Sequence, residues 1–254
     1  MIEHKELAKV IIIKVPHLLK TVQAIIEGKE AICAELAMII ASICHGLVEL
    51  KFGRSTEEVH LLVWLNKILV HEPTVRTTAL KTLELMSDTD SEDLLAILAA
   101  DHMIEVLLGF VGSLAEQGRD FKQESSLCTI FANFASSDQD ELIHKLLSYG
   151  VLDTFSFFLD CGADKNKQLV MWGLSNLVTH DAHAVKIVIE HPVFVSMIMN
   201  LQHKDINVQR EAFFALSNLL VEAEVVDLLA LLETYPDLLE KFVEQGLNGP
   251  ACRT

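Results

Sequence analysis

The sequence predicts an all-α solenoid built from about five repeats of three helices each. First, 51% of the 254 residues are hydrophobic, whereas only 11 are glycine and 5 are proline. That composition supplies a large core with few helix breakers. Second, a short motif recurs at a nearly constant spacing, which is the signature of a repeat protein. Third, no segment shows the alternation of apolar and polar residues that is typical of a half-buried strand.

The repeat is clearest in the motif Leu-Ser-Asn-Leu, which places Asn176 and Asn218 at equivalent positions, 42 residues apart. A third copy places Asn133 in register, 43 residues before Asn176. Weaker copies are centred on Leu85 and Ile43. The longest interval, 48 residues, contains the polar segment Glu116-Gln-Gly-Arg-Asp120, which we interpret as an inserted loop.

Helix breakers recur with the same period. Gly150, Pro192 and Pro236 each follow an asparagine of the motif by 16 to 18 residues and separate two apolar runs. Each repeat therefore reads as a short helix, a break, a second helix, a turn and a longer third helix. Three helices in about 42 residues is the armadillo layout, and the two-helix HEAT repeat is the alternative. We expect one domain over residues 1–254, with third helices centred near residues 43, 85, 133, 176 and 218 and a C-terminal cap at 223–254.

The third helix has one apolar face that recurs between repeats. At about 100° per residue, its members fall on a single stripe. They are Val170, Met171, Leu174, Leu177 and Val178, matched by Ala212, Phe213, Leu216, Leu219 and Leu220. Trp172 and Asn176 lie roughly opposite that stripe. An exposed tryptophan marks a contact surface, although packing on a neighbouring repeat is the alternative.

The recurring asparagines predict a site for an extended peptide. A side-chain amide offers both a donor and an acceptor, so Asn133, Asn176 and Asn218 could each hold one backbone unit. A tryptophan one turn earlier gives the aliphatic part of a Lys or Arg side chain a surface to lie on. Carboxylates close to the ends of the third helices, Asp138, Asp181 and Glu222, would receive the cationic head. Such carboxylates oppose the helix dipole.

At these residues the sequence resembles the importin-α family of nuclear-import adaptors. Trp172-Gly-Leu-Ser-Asn176 is similar to one unit of that family's Trp/Asn array, Phe214 to Asn218 keeps the asparagine, and Thr129 to Asn133 keeps only the asparagine. The resemblance is close over about residues 124–222. It implies a right-handed superhelix whose groove holds a basic peptide, such as a nuclear localisation signal. It also implies a protein of the cytoplasm or nucleus.

The resemblance is partial in two respects. The array positions of the first two repeats hold Lys81 and Leu85, and Ile39 and Ile43, so we expect no basic peptide there. No Lys/Arg-rich importin-β-binding segment is found, so recruitment of importin-β in the family's usual way is not expected. The alternative function is a general armadillo scaffold that joins larger proteins through its convex or terminal surfaces.

Composition argues against several other functions. The formal net charge of −16 and the lack of a Lys/Arg cluster disfavour nucleic acid. The acidic surface suits a basic protein or peptide, and solubility alone is the alternative interpretation. No phosphate-binding loop, dinucleotide motif or HExxH is present, so we expect neither an enzyme nor a cofactor. The richest titratable cluster, His180-Asp181-Ala182-His183, could bind a metal but offers no third ligand. We therefore expect no metal.

Cysteine usage and hydropathy fit a chain that is neither secreted nor embedded in a membrane. The five cysteines are odd in number and show no CxxC spacing, which favours a reducing compartment. The N-terminal apolar run is interrupted by Lys14 and Pro16, unlike a signal peptide. The window Ala31–Leu50 carries Glu35 and Glu49 and is better read as a buried helix than as a membrane span.

Overall fold

A computed structural model describes residues 76–88, 95, 98–99, 101–117 and 119–248. All regular structure within these ranges is helical, and they contain no strand, as the sequence predicts. The repeat predicted around Ile43 and the apolar window Ala31–Leu50 lie outside the described residues.

Eleven helices are described. They are α1 (Arg76–Ser87), α2 (Asp101–Gln117), α3 (Phe121–Phe134), α4 (Asp140–Ser148), α5 (Val151–Cys161), α6 (Asp164–Leu177), α7 (Ala182–Glu190), α8 (Val193–Asn200), α9 (Ile206–Glu222), α10 (Val225–Thr234) and α11 (Leu238–Asn248). The described residues fall into two compact units. The N-terminal unit contains the described residues up to 110 and residues 119–127, and the C-terminal unit contains 111–117 and 128–248.

The C-terminal unit contains two complete three-helix repeats. Helices α4, α5 and α6 form the first, and α7, α8 and α9 form the second. Equivalent helices pack on each other, since α4 contacts α7, α5 contacts α8 and α6 contacts α9. Each repeat therefore buries its apolar surface on the next one, as in a solenoid.

The predicted breakers lie between the first two helices of each repeat. Gly150 precedes α5 with a φ of 81°, a left-handed conformation that glycine adopts without steric cost. Pro192 is the residue immediately before α8. Pro236 lies between α10 and α11.

The polar segment 116–120 is not simply an inserted loop. Glu116 and Gln117 belong to the last turn of α2, so part of the longer interval extends a helix. Asp120 in turn caps α3, because its Oδ1 accepts from the backbone N–H groups of Lys122 and Gln123, at 3.0 and 3.2 Å.

The predicted apolar stripe forms the core of the third helices. Val170, Met171, Leu174, Leu177 and Val178 on and after α6 are fully buried, as are Ala212, Leu216 and Leu219 on α9. Phe213 and Leu220 differ, since both are only half-buried. Phe213 lies against α11, where its ring stacks on that of Phe242 with centroids 4.5 Å apart. Helix α11 therefore covers this face of α9 only in part.

Histidine–carboxylate pairs join the two complete repeats. His144 Nε2 lies 2.8 Å from Asp181 Oδ2, and His180 Nδ1 lies 3.0 Å from Asp140 Oδ1. Two similar pairs follow further along the interface. They are His191 with Asp153 at 3.2 Å and His203 with Asp164 at 3.6 Å. Polar contacts as well as apolar packing therefore set the repeat register.

No single described helix is long and apolar enough to cross a membrane. Helices α7 and α8 meet that test only when taken together, with an 85° bend between them.

Candidate peptide-binding site

The third helices carry large aromatic side chains at equivalent exposed positions. Trp172 on α6 is 37% exposed, and Phe214 on α9 is 49% exposed. Each is flanked in sequence by core residues of the same helix, so the helical periodicity places it on the opposite side. The structure therefore leaves an aromatic side chain in contact with solvent at the same position of α6 and α9.

Gly173 lets α6 approach the preceding third helix closely. A Cβ atom at this position would lie 3.1 Å from Ala132 Cα and 3.3 Å from Ala132 Cβ. It would also lie 3.5 Å from the ring of Phe155. A side chain at residue 173 would push the helices apart, so the glycine after Trp172 helps to fix the spacing of the surface.

The three predicted asparagines lie in different surroundings, although all three are half-buried. Asn218 donates from Nδ2 to Ser175 Oγ at 2.9 Å and to the Ser175 carbonyl at 3.3 Å. One repeat earlier, the position equivalent to Ser175 is Ala132, which has no hydroxyl group. Asn176 has no side-chain hydrogen bond to any described residue. The donor and the acceptor of its amide are therefore both unused within the described residues.

On α3, the array position equivalent to Trp172 and Phe214 is occupied by a threonine. Thr129 on α3 is half-buried and is the residue that precedes Asn133 by one helical turn. Among the array positions, the aromatic and amide groups come together on one exposed face only at α6 and α9.

An open cavity of about 230 Å³ lies beside Trp172. It is lined by Lys165, Gln168, Leu169 and Trp172 of α6 and by Glu211 of α9. The α6 residues have the spacing of one helix face, and that spacing is the signal by which they could have been found from Trp172. The lining offers one cation, one carboxylate, an amide and an aromatic wall.

Asp181 has a different local role from the one its position indicates. Helix α6 ends at Leu177, so Asp181 lies beyond it and caps α7, accepting from the backbone N–H of Ala184 at 2.7 Å. A carboxylate there stabilises the α7 dipole, so the expected dipole cost is wrong for this residue. The Ala184 hydrogen bond is the main cause of a lowered Asp181 pKa, and His144 adds to it.

The other two carboxylates are solvent-exposed. Asp138 lies between α3 and α4, and Glu222 is the last residue of α9, where no basic side chain shares the final turn. Glu222 is therefore the carboxylate that opposes its helix dipole. Binding of a basic side chain by any of the three remains a prediction.

Replacing Asp181 by alanine is expected to lower the free energy of unfolding by about 1 kcal/mol at pH 7, since a helix cap is lost. Because the pKa of Asp181 is lowered on folding, its stabilisation is present above the ordinary value of 3.8 and fades as the pH falls below it. Urea unfolding at pH 7 and pH 3 checks this. Asp181→Asn, which keeps the cap, should be milder than Asp181→Ala at pH 7.

The predicted histidine cluster is used for contacts between repeats. His180 and Asp181 bond to Asp140 and His144, while His183 meets the His144 ring with centroids 5.7 Å apart. Within the described ranges, no group of three or more His, Cys, Asp or Glu side chains is arranged to hold a metal ion.

Comparison with solved structures identifies the fold. The chain is similar to a designed armadillo repeat protein, YIII(Dq)4CqI, with a TM-score of 0.64, 17% identity, and coverage of 82% of this chain and 84% of that one. It is also similar to a designed armadillo repeat protein in complex with the peptide (KR)4, with a TM-score of 0.59, 17% identity, and coverage of 84% and 80%. An engineered protein matches with a TM-score of 0.66, 18% identity, and coverage of 95% and 54%.

No protein-family model matches the sequence, and no curated protein is significantly similar to it. The structural likeness, at this low identity, establishes the fold alone. The chain is an all-α protein with an armadillo-type repeat architecture.

Proposed function

We propose that this protein binds an extended, basic peptide segment of a partner protein across the third helices α3, α6 and α9. The observation that carries the proposal is the pair on α6: an exposed Trp172 and, one turn later, Asn176, whose amide has no hydrogen-bond partner among the described residues. An amide donor and acceptor beside an aromatic side chain suit a peptide backbone and a long side chain.

The dimensions of the repeat fit such a ligand. Packed helices lie about 8–10 Å apart, and an extended chain advances about 3.3–3.6 Å per residue. Each repeat would thus meet about three peptide residues, and three asparagines would hold a segment of about eight. Gly173 allows α6 to approach Ala132 of α3 closely at this point.

Charge favours a basic ligand. The chain carries 36 acidic and 20 basic side chains, so its field attracts cations. Beside Trp172, Glu211 is the carboxylate that would receive a Lys or Arg head group, in exchange for its exposed pair with Arg210 at 3.4 Å. Lys165 also lines this cavity. It would favour a peptide that places a hydrogen-bond acceptor, or no basic side chain, opposite it. One of the structurally similar designed proteins is described in complex with a (KR)4 peptide.

The finer proposal is that the ligand is a nuclear localisation signal and that the protein acts in the cytoplasm or nucleus. It rests on the Trp/Asn units at Trp172 and Phe214 and on the acidic charge. Recruitment of importin-β is not part of the proposal.

The proposal predicts that Asn176→Ala weakens binding of a basic peptide by about 1–3 kcal/mol, roughly 5- to 150-fold, because the peptide backbone loses both partners. Fluorescence anisotropy of a labelled octapeptide of alternating Lys and Arg measures it. Stability should barely change, since Asn176 bonds to no described side chain and alanine favours a helix.

Gln202→Ala is the matched control, since it removes an exposed amide from the turn between α8 and α9, at a residue that is not one of the array positions. It should leave the affinity unchanged. Absence of peptide binding at low salt, or equal affinity in the Asn176 and Gln202 variants, would contradict the proposal.

A second candidate function is a scaffold that joins larger proteins through a terminal surface. One observation favours it: several apolar side chains on α10 are exposed.

A further inference from the structure

Helix α10 is apolar on two opposite faces. Leu231 is buried, whereas Val225, Val226 and Leu229 are 71%, 73% and 59% exposed. At 100° per residue the three exposed residues span one stripe of about 100°, and Leu231 lies on the other side of the helix. A helix that is apolar on both sides is normally covered on both sides. We call Val225, Val226 and Leu229 the α10 stripe.

The α10 stripe occupies positions that meet a following repeat elsewhere in the chain. Helices α4 and α10 begin after the equivalent residues Gln139 and Glu224, so Val225 and Leu229 correspond to Asp140 and His144. Those two residues of α4 bond to His180 and Asp181 of the next repeat. In α10 the same positions are apolar and exposed to solvent, so this face continues the inter-repeat interface without a described partner.

The surroundings of the α10 stripe are strongly acidic. Residues 211–240 contain seven carboxylates and no Lys, Arg or His; the carboxylates are Glu211, Glu222, Glu224, Asp227, Glu233, Asp237 and Glu240. Glu222, Glu224 and Glu233 are exposed, whereas Asp227, which lies between Val226 and Leu229 in sequence, is half-buried. This combination selects a partner with an apolar surface and positive charges around it. A second copy, with a net charge of −16, would be repelled.

We propose that the α10 stripe is a docking surface for a basic amphipathic helix of a partner protein. The partner helix would lay an apolar face with i, i+3 and i+4 spacing on Val225, Val226 and Leu229. Its flanking Lys and Arg residues would lie near Glu222, Glu224 and Glu233. The three apolar residues of this surface are not part of the third-helix site, whereas Glu222, the last residue of α9, is a carboxylate considered for both.

The test uses the full chain and a labelled peptide of about 18 residues, long enough to form a helix, with leucine on one face and lysine elsewhere. We expect saturable binding that is weakened about tenfold or more in Val226→Ser/Leu229→Ser, which removes the apolar anchors. Glu222→Gln/Glu224→Gln should weaken binding and reduce its dependence on salt. The same peptide with glutamate in place of lysine should not bind.

Two controls keep the outcome specific. Val195→Ser/Met199→Ser removes an exposed apolar pair from α8 with the same type of substitution and should leave binding unchanged. Trp172→Ala/Asn176→Ala should also bind the helical peptide like the wild type, which distinguishes failure here from failure of the third-helix site. Circular dichroism checks that every variant keeps its helices.

The proposal is overturned if the lysine peptide does not bind, if the α10 and α8 variants behave alike, or if the third-helix variant loses the peptide. It is equally overturned if sedimentation shows self-association of the wild type that Val226→Ser/Leu229→Ser abolishes. In that case a second copy, not a basic helix, covers the stripe.

Discussion

Arg119→Met is expected to lower the free energy of unfolding by about 3–5 kcal/mol, because it removes a cation that bonds to both oxygens of a buried carboxylate. The Glu124 side chain is fully buried near the start of α3. The Arg119 guanidinium donates to both carboxylate oxygens of Glu124, with Nε 2.9 Å from Oε2 and Nη2 2.5 Å from Oε1. Methionine keeps much of the apolar volume of arginine, so the loss reports the charge and the two hydrogen bonds.

Chemical denaturation measures this loss, and Arg210→Met is the matched control. Arg210 pairs with Glu211 at 3.4 Å on the surface, where such a pair contributes about 0–1 kcal/mol. The double variant Arg119→Met/Glu124→Leu should recover most of the stability, since it removes the buried carboxylate as well. An Arg119→Met loss no larger than that of Arg210→Met would show that the pair does not stabilise the fold.

Phe155→Ala is expected to cost about 3–5 kcal/mol, since a fully buried ring is lost from a close-packed core. The ring lies on α5 beneath the contact between α6 and α3, within 3.5 Å of the point that a Cβ of Gly173 would occupy. Its removal therefore also loosens the support of Trp172. Thermal and urea unfolding measure the cost.

Phe214→Ala provides the comparison for Phe155→Ala. The same atoms are removed, but Phe214 is 49% exposed and contacts Phe213 edge-on, with centroids 6.3 Å apart. We expect a loss below about 1 kcal/mol for this surface position. Similar losses in the two variants would mean that Phe155 does not carry the core packing assigned to it.

The repeat architecture could be predicted because it depends on local patterns that recur. The break residues Gly150, Pro192 and Pro236 act within their own turns, and their spacing shows where each second helix begins. The apolar stripe of the third helix depends only on the 3.6-residue period. The extent of α2 could not be predicted in this way, since Glu116 and Gln117 have polar side chains whether they end a helix or form a loop.

The site was predictable in part. The exposure of Trp172 follows from its angle to the core stripe, whereas the bond from Asn218 to Ser175 joins residues 43 positions apart. Nothing in the local sequence indicates that the Asn218 amide bonds to the Ser175 hydroxyl. One repeat earlier, the residue equivalent to Ser175 is Ala132, which has no hydroxyl. For Asp181, a local rule was available: an aspartate directly before an apolar helical run is a helix-capping signal.

Sequence alone could not distinguish the α10 stripe from buried core positions. Val225, Val226 and Leu229 have the same residue types and spacing as buried positions elsewhere, and only the described surroundings show that they are uncovered. Hydrophobic periodicity predicts which residues seek a partner, but it does not say whether that partner lies in the same chain.

The most direct test of the third-helix site is the fluorescence of Trp172 during titration with the Lys/Arg octapeptide. The chain has two tryptophans, so Trp64→Phe leaves Trp172 as the single reporter. We predict a saturable change in its emission that follows the anisotropy of the labelled peptide, and a midpoint shifted to higher concentration when Asn176→Ala is added. Binding seen by anisotropy without any change in Trp172 emission would contradict the account, because the peptide would then lie elsewhere on the protein.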